Sequence, residues 1–141
     1  MCAYHRKSWI EKRDIEKQPI VKKLDKDFAD MHAGEKMLIA NPNIVDHYIR
    51  QIPLGQQNSL KIMRRDLAAE YGADVTCPVT SGIFLRIVSE AAWEEYLQGK
   101  PLKAITPFWR MMDEHSSAAK KLSFGTDFLI ERRKKEKLPP L

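Results

Sequence analysis

The chain has 141 residues, 43% hydrophobic and 30% charged, with a formal net charge of +5. That length bounds one domain with a single sizeable core. No apolar run reaches the ~18 residues of a membrane helix, nothing at the N-terminus marks export, and two cysteines supply neither a disulfide framework nor a Cys-based zinc site, so a cytoplasmic protein without membrane contact is expected.

Residues 1–36 hold no sustained period. Trp9, Ile10, Ile20, Val21 and Leu24 are scattered among charges, and Pro19 interrupts any helix. The stretch reads as a basic N-terminal arm, partly laid on the domain by its apolar residues. A domain spanning 37–138 follows, with 139–141 as a tail. Asn41 suits a helix cap and Pro42 a first helical turn, with Ile44, Val45, Tyr48, Ile49 and Ile52 at helical spacing up to Pro53. Asn58 or Ser59 caps a second helix whose stripe is Leu60, Met63, Leu67 and Tyr71, with Lys61, Arg64 and Arg65 off it. Residues 74–79 read as a loop or short extended piece because of Pro78. Thr80 or Ser81 then caps a third helix with Ile83, Phe84, Ile87, Val88 and Ala91 buried and Gly82, Arg86, Ser89 and Trp93 on the opposite face. Residues 103–112 alternate and are rich in β-branched and aromatic types, so 103–122 is expected to form a small hairpin. A last, basic helix runs from Thr126 into Arg132–Lys137.

Three helices, a hairpin and a helix make a mostly α fold with a small β-hairpin, in the order of a winged helix-turn-helix. There the third helix enters the major groove, while the wing and arms hold phosphates. The charge is segregated accordingly. Residues 1–27 carry eight Lys/Arg against five Asp/Glu, residues 28–117 nine against eleven, and residues 118–141 seven against three. The basic ends are either solvated tails or a pair of phosphate-binding arms.

Four stretches carry a resemblance. Asn43-Ile-Val-Asp-His-Tyr-Ile-Arg-Gln-Ile-Pro-Leu-Gly55, Asp66-Leu-Ala-Ala-Glu-Tyr-Gly72, Ile105-Thr-Pro-Phe-Trp-Arg-Met-Met112 and Gly125-Thr-Asp-Phe-Leu-Ile-Glu-Arg-Arg133 follow one another in the order and spacing of a known family. Residues 37–138 resemble the C-terminal, DNA-binding half of the alkylguanine-DNA alkyltransferases. They are still closer to small bacterial alkyltransferase-like relatives lacking the acceptor cysteine. The resemblance places Phe108 at the family's acceptor cysteine, Trp109 at its histidine and Arg64 at its helix tyrosine, while Pro107 and Arg110 match. Alkyl transfer needs a thiolate, and neither a phenyl ring nor an indole can replace the cysteine and its base. Cys77, in Thr-Cys-Pro order with no His or Asp near it in sequence, reads as a small buried or loop thiol. The four histidines share no metal spacing.

The expectation is therefore a non-enzyme without metal or cofactor that binds double-stranded DNA, including recognition of distorted or extruded bases. Ser81, Arg86 and Ser89 would meet the groove, and Lys61, Arg64, Arg65 and Arg110 the backbone. Pro107, Phe108 and Trp109 would form a vestigial base pocket. For Arg86 the alternative is an exposed arginine paired with Glu90 one turn on. For the whole protein it is an interaction module that retains the winged helix as a scaffold and binds protein.

Overall fold

The computed structural model describes residues 6–141. In chain order, the elements are α1 (Trp9–Arg13), β1 (Ile20–Lys23), β2 (Lys36–Ile39), α2 (Pro42–Arg50), α3 (Leu60–Glu70), β3 (Val75–Thr76), α4 (Pro78–Leu97), α5 (Ser117–Lys120) and α6 (Asp127–Lys135). Two 3-10 turns, Leu102–Ala104 and Phe108–Arg110, lie between α4 and α5. The fold is mostly helical with one small sheet. Within that sheet β1 runs antiparallel to β2 and β3 parallel to it.

Local signals set the helix starts. The Asn41 side chain accepts the Ile44 N–H at 2.7 Å, and Pro42 occupies the first turn, where its missing N–H has no partner. Ser59 accepts the Ile62 N–H and starts α3. Pro78 does not break helix α4 but opens it, one residue after Cys77, because a proline in the first turn costs no hydrogen bond. The third helix therefore begins before Thr80 and Ser81, and β3, just ahead of it, pairs with β2.

The 20-residue α4 is the hub of the core. Ser81, Leu85, Val88, Ser89 and Ala92 are buried at helical spacing, so α4 buries one face, rotated from the stripe its apolar residues suggest, with Glu90 buried on the far side. Ile83, expected inside, is half exposed, and Ser89, expected outside, is fully enclosed. The Ser81 and Ser89 hydroxyls donate to carbonyls one turn back, at Cys77 (2.6 Å) and Leu85 (2.7 Å). Such back-bonding satisfies a serine inside a helix without a second element.

The expected hairpin over 103–122 does not form. Residues 105–109 are consecutively buried, which a two-sided strand at a surface could not be, and Pro101 and Pro107 lack ladder donors. The segment is a buried strap. Arg110 donates to both Glu136 oxygens and to the Ile52 carbonyl, and Trp109 donates its indole N–H to Glu136 at 2.5 Å. The sheet's hairpin is β1–β2, inside the stretch expected to be an arm. It covers a small apolar cluster of Leu24, Met31, Met37 and Cys77.

Candidate nucleic-acid interface

The first half of α4 lines a cleft of about 630 Å³. Its apolar part is Leu60, Pro78, Val79, Ile83, Ile87 and Ala118. Val79 and Ile83 remain 51% and 52% exposed. Trp9 and Lys12 of α1, Arg86 of α4, Ser117 of α5 and Lys121 just after it also line the cleft. Among the described residues three cations line this cleft and no carboxylate does.

The absence of acid here is unexpected, since α4 carries Glu90, Glu94 and Glu95. Each is drawn inward and occupied. Glu90 is buried and accepts the Ser123 N–H at 2.9 Å and the Ser123 hydroxyl at 2.5 Å. Glu94 accepts the backbone N–H groups of Trp9 (3.0 Å) and Ile10 (3.1 Å), capping α1 from outside. Glu95 bonds Arg13 and Lys100. Burial pushes its carboxyl pKa up, but these two cations outweigh burial and hold it below its ordinary value. For Arg13 burial works downward, and hydrogen bonds to Asp14 and Glu95 override it, leaving the guanidinium more firmly charged.

Arg86 lies beside Glu90, Nε to carboxylate 3.6 Å, beyond hydrogen-bond range. Its guanidinium stands 5.2 Å from the Trp9 ring centroid, and Lys12 Nζ stands 4.2 Å from the same centroid. A cation over the indole face is held by the ring quadrupole at about 0.5–1 kcal/mol when exposed.

The other residues singled out from sequence divide sharply. Lys61 and Arg65 are exposed on α3, next to Leu60, with Arg65 loosely beside Asp66 at 3.6 Å. Arg64 is engaged inside the molecule. It donates to the Thr76 carbonyl at 2.8 Å and to both Asp30 oxygens at 2.8 Å, which hold the Asp30 carboxyl below its ordinary range. Arg110 has all its guanidinium nitrogens committed to Glu136 and Ile52. Ser81 and Ser89 are enclosed and cannot reach a groove. In the last basic helix Arg133 is buried and donates to Trp109, Gln57 and Pro139, while Lys134, Lys135 and Lys137 stay exposed.

Phe108 is 0% exposed. Its ring meets Trp109 edge-on at 5.5 Å, Phe124 edge-on at 5.8 Å and Phe128 in a stacked pair at 6.1 Å. Pro107 and Trp109 are buried too. A base could not stack on Phe108 unless the core opened. Cys77 is equally enclosed. Among the described residues no group of His, Cys, Asp or Glu has the makings of a metal site, and no helix is long and apolar enough to cross a membrane.

Sequence reasoning missed Trp9, Lys12 and Lys121. The first two had a readable signal: Ser8 and Glu11 form a capping box, S-x-x-E, which marks a helix start. Lys121 had none. It reaches the cleft only because the expected wing is replaced by α5. No family model matches this chain, and no curated protein and no solved structure matches it either.

Proposed function

We propose that the protein is a non-catalytic binder of double-stranded DNA that engages the sugar-phosphate backbone with the face around the start of α4. The observation that carries this reading is the cleft's charge: among the described residues Lys12, Arg86 and Lys121 line it without any carboxylate, although α4 itself is rich in glutamate. Exposed Lys61 and Arg65 of α3 add two further cations at a second cleft, which Asp74 also lines. Phosphate neutralisation supplies most of non-specific affinity, and this surface offers cations for it. The helix-turn-helix and alkyltransferase-like kinship belongs to the same proposal, without the wing, and it favours the reading through the position of α4 as third helix after α2 and α3. The site assigned here is narrower than the sequence suggested. Arg86, Lys61 and Arg65 remain in it. Ser81, Ser89, Arg64 and Arg110 leave it, because their polar groups are used internally. Recognition of a base beside Phe108 also leaves it, because the ring is enclosed.

Fluorescence anisotropy with a labelled duplex tests the proposal. Binding at micromolar protein and low salt is expected, with affinity falling as a steep power of salt concentration. Arg86→Ala should weaken it by about 1 kcal/mol or more. No binding at low salt would overturn the reading. A protein-docking role has its own support in the half-exposed Val79 and Ile83. Under that reading binding would be insensitive to salt and lost on Ile83→Asp, with duplex giving no signal.

A further inference from the structure

We infer that α1 is a working part of this interface, and that Trp9, Lys12, Arg86 and Lys121 together seat one backbone phosphate of a nucleic-acid strand, with the neighbouring sugar on the apolar residues of the cleft. The inference rests on the nucleic-acid reading above and adds a partner geometry to it.

A five-residue helix is not stable alone. α1 persists because Ser8 and Glu11 cap it mutually and Glu94 takes two of its first free N–H groups. The Arg13–Glu95–Lys100 chain ties down its other end. These bonds hold Trp9 and Lys12 at the cleft.

Lys12 and Arg86 both lean on the Trp9 ring. Two like charges on one aromatic repel one another, and an anion between them would relieve that. Arg86 also has an unmet need. Its Nε–H is buried and no atom of the described residues accepts it. The one carboxylate in reach, Glu90, is already used by Ser123 and stands 3.6 Å away. Burying a donor without an acceptor is unfavourable, and the Arg86 side chain, 41% exposed, can relieve this by turning its Nε–H toward a bound phosphate. The apolar part completes the match. A sugar-phosphate backbone joins an anion to a ring bearing C–H edges, and the cleft holds cations together with the apolar Val79 and Ile83.

The test uses the full-length chain and a short labelled duplex. The Lys12→Ala/Lys121→Ala double variant changes only surface side chains. It is expected to bind about tenfold more weakly, with a salt slope lower by about two. Wild-type binding should quench tryptophan emission, and Trp9→Phe should abolish the quench, since Trp109 is buried and Trp93 is stacked on Phe124 at 4.5 Å. Glu94→Gln loosens α1 but removes no cation from the cleft, and should also lower affinity. If wild type binds while the double variant keeps its affinity and slope, α1 is no part of the interface and the inference fails alone. If wild type does not bind, the nucleic-acid reading fails and takes the inference with it.

Discussion

Position 108 shows how one side chain can decide both chemistry and stability. The Phe108 ring fills the space between Trp109, Phe124 and Phe128, and the enclosure leaves no path for a substrate. Introducing a sulfur there should therefore not create a nucleophile. In a Cys2→Ser background, Phe108→Cys is expected to show no thiol reactive toward an aromatic disulfide reagent in the folded state, because a buried thiol in apolar surroundings resists ionisation. It should also lose about 3 kcal/mol of stability in urea unfolding, toward the low end of the range for removing a buried aromatic ring. A folded variant whose new thiol titrates readily would mean that position 108 opens to solvent. The same reasoning separates the arginines. Arg65 is open to solvent and Arg86 is partly so, with its Nε turned inward, while Arg110 and Arg133 are fasteners between the buried strap and α6.

At the scale of elements, local rules were legible wherever a helix end carried its own signal. Asn41 starts α2 as its spacing predicts, and its side-chain amide also donates to the Lys17 carbonyl at 2.7 Å, fixing the incoming chain. Asn41→Ala should cost about 1 kcal/mol through the lost cap, read as a lower urea midpoint at unchanged slope. Ser59 and α3 were equally readable, as was the last basic helix. The failures share a physical cause: tertiary packing overrode local pattern. Residues 103–112 look strand-like by alternation, but the core holds them on every side, and Glu136, about 30 residues further along, dictates the backbone path through Arg110 and Trp109. α4 defeats the expected stripe because its buried face, centred on Leu85, Val88 and Ala92, includes Ser81 and Ser89, which are satisfied by back-bonding, and leaves the apolar Ile83 outside. The sheet was hidden because β1 exposes all four of its residues and β3 has only two. Of the interface, Arg86, Lys61 and Arg65 were visible as off-stripe cations. Which arginines were already engaged was not visible, since that depends on carboxylates such as Asp30 and Glu136 that approach only in the folded chain.

At the scale of the whole molecule, internal carboxylates tie the segments together, and this sets a pH window for stability. Glu136 joins the 53–55 turn, the strap and α6. Burial pushes its pKa up, but hydrogen bonds from Arg110, the Gly55 N–H and the Trp109 indole outweigh this and hold it below the ordinary 4.5. Asp113 is likewise pushed up by burial and pulled lower overall, below 3.8, by the Leu141 and His115 N–H groups and Ser116. Glu95 and Asp30 are shifted in the same direction. A carboxyl whose folded pKa is depressed stabilises the protein fully above its unfolded value, and the contribution disappears as pH falls through the folded value. Tyr48 works at the other limit. Burial, with the Asp66 carboxylate 2.6 Å away, raises its pKa above the ordinary 10.0. Its contribution is therefore whole below pH 10.0 and is lost as pH rises toward the folded value. Unfolding free energy should accordingly stay level from about pH 6 to 9 as far as these groups govern it, fall below about pH 4.5 and fall again above about pH 10. Glu136→Gln should be less stable at neutral pH, because the pair with Arg110 is broken, and its acid limb should be shallower because one depressed carboxyl is gone. Tyr48→Phe should flatten only the alkaline limb. Urea unfolding across the pH range measures both, and an acid limb of unchanged steepness in Glu136→Gln would remove Glu136 from the groups that govern acid stability.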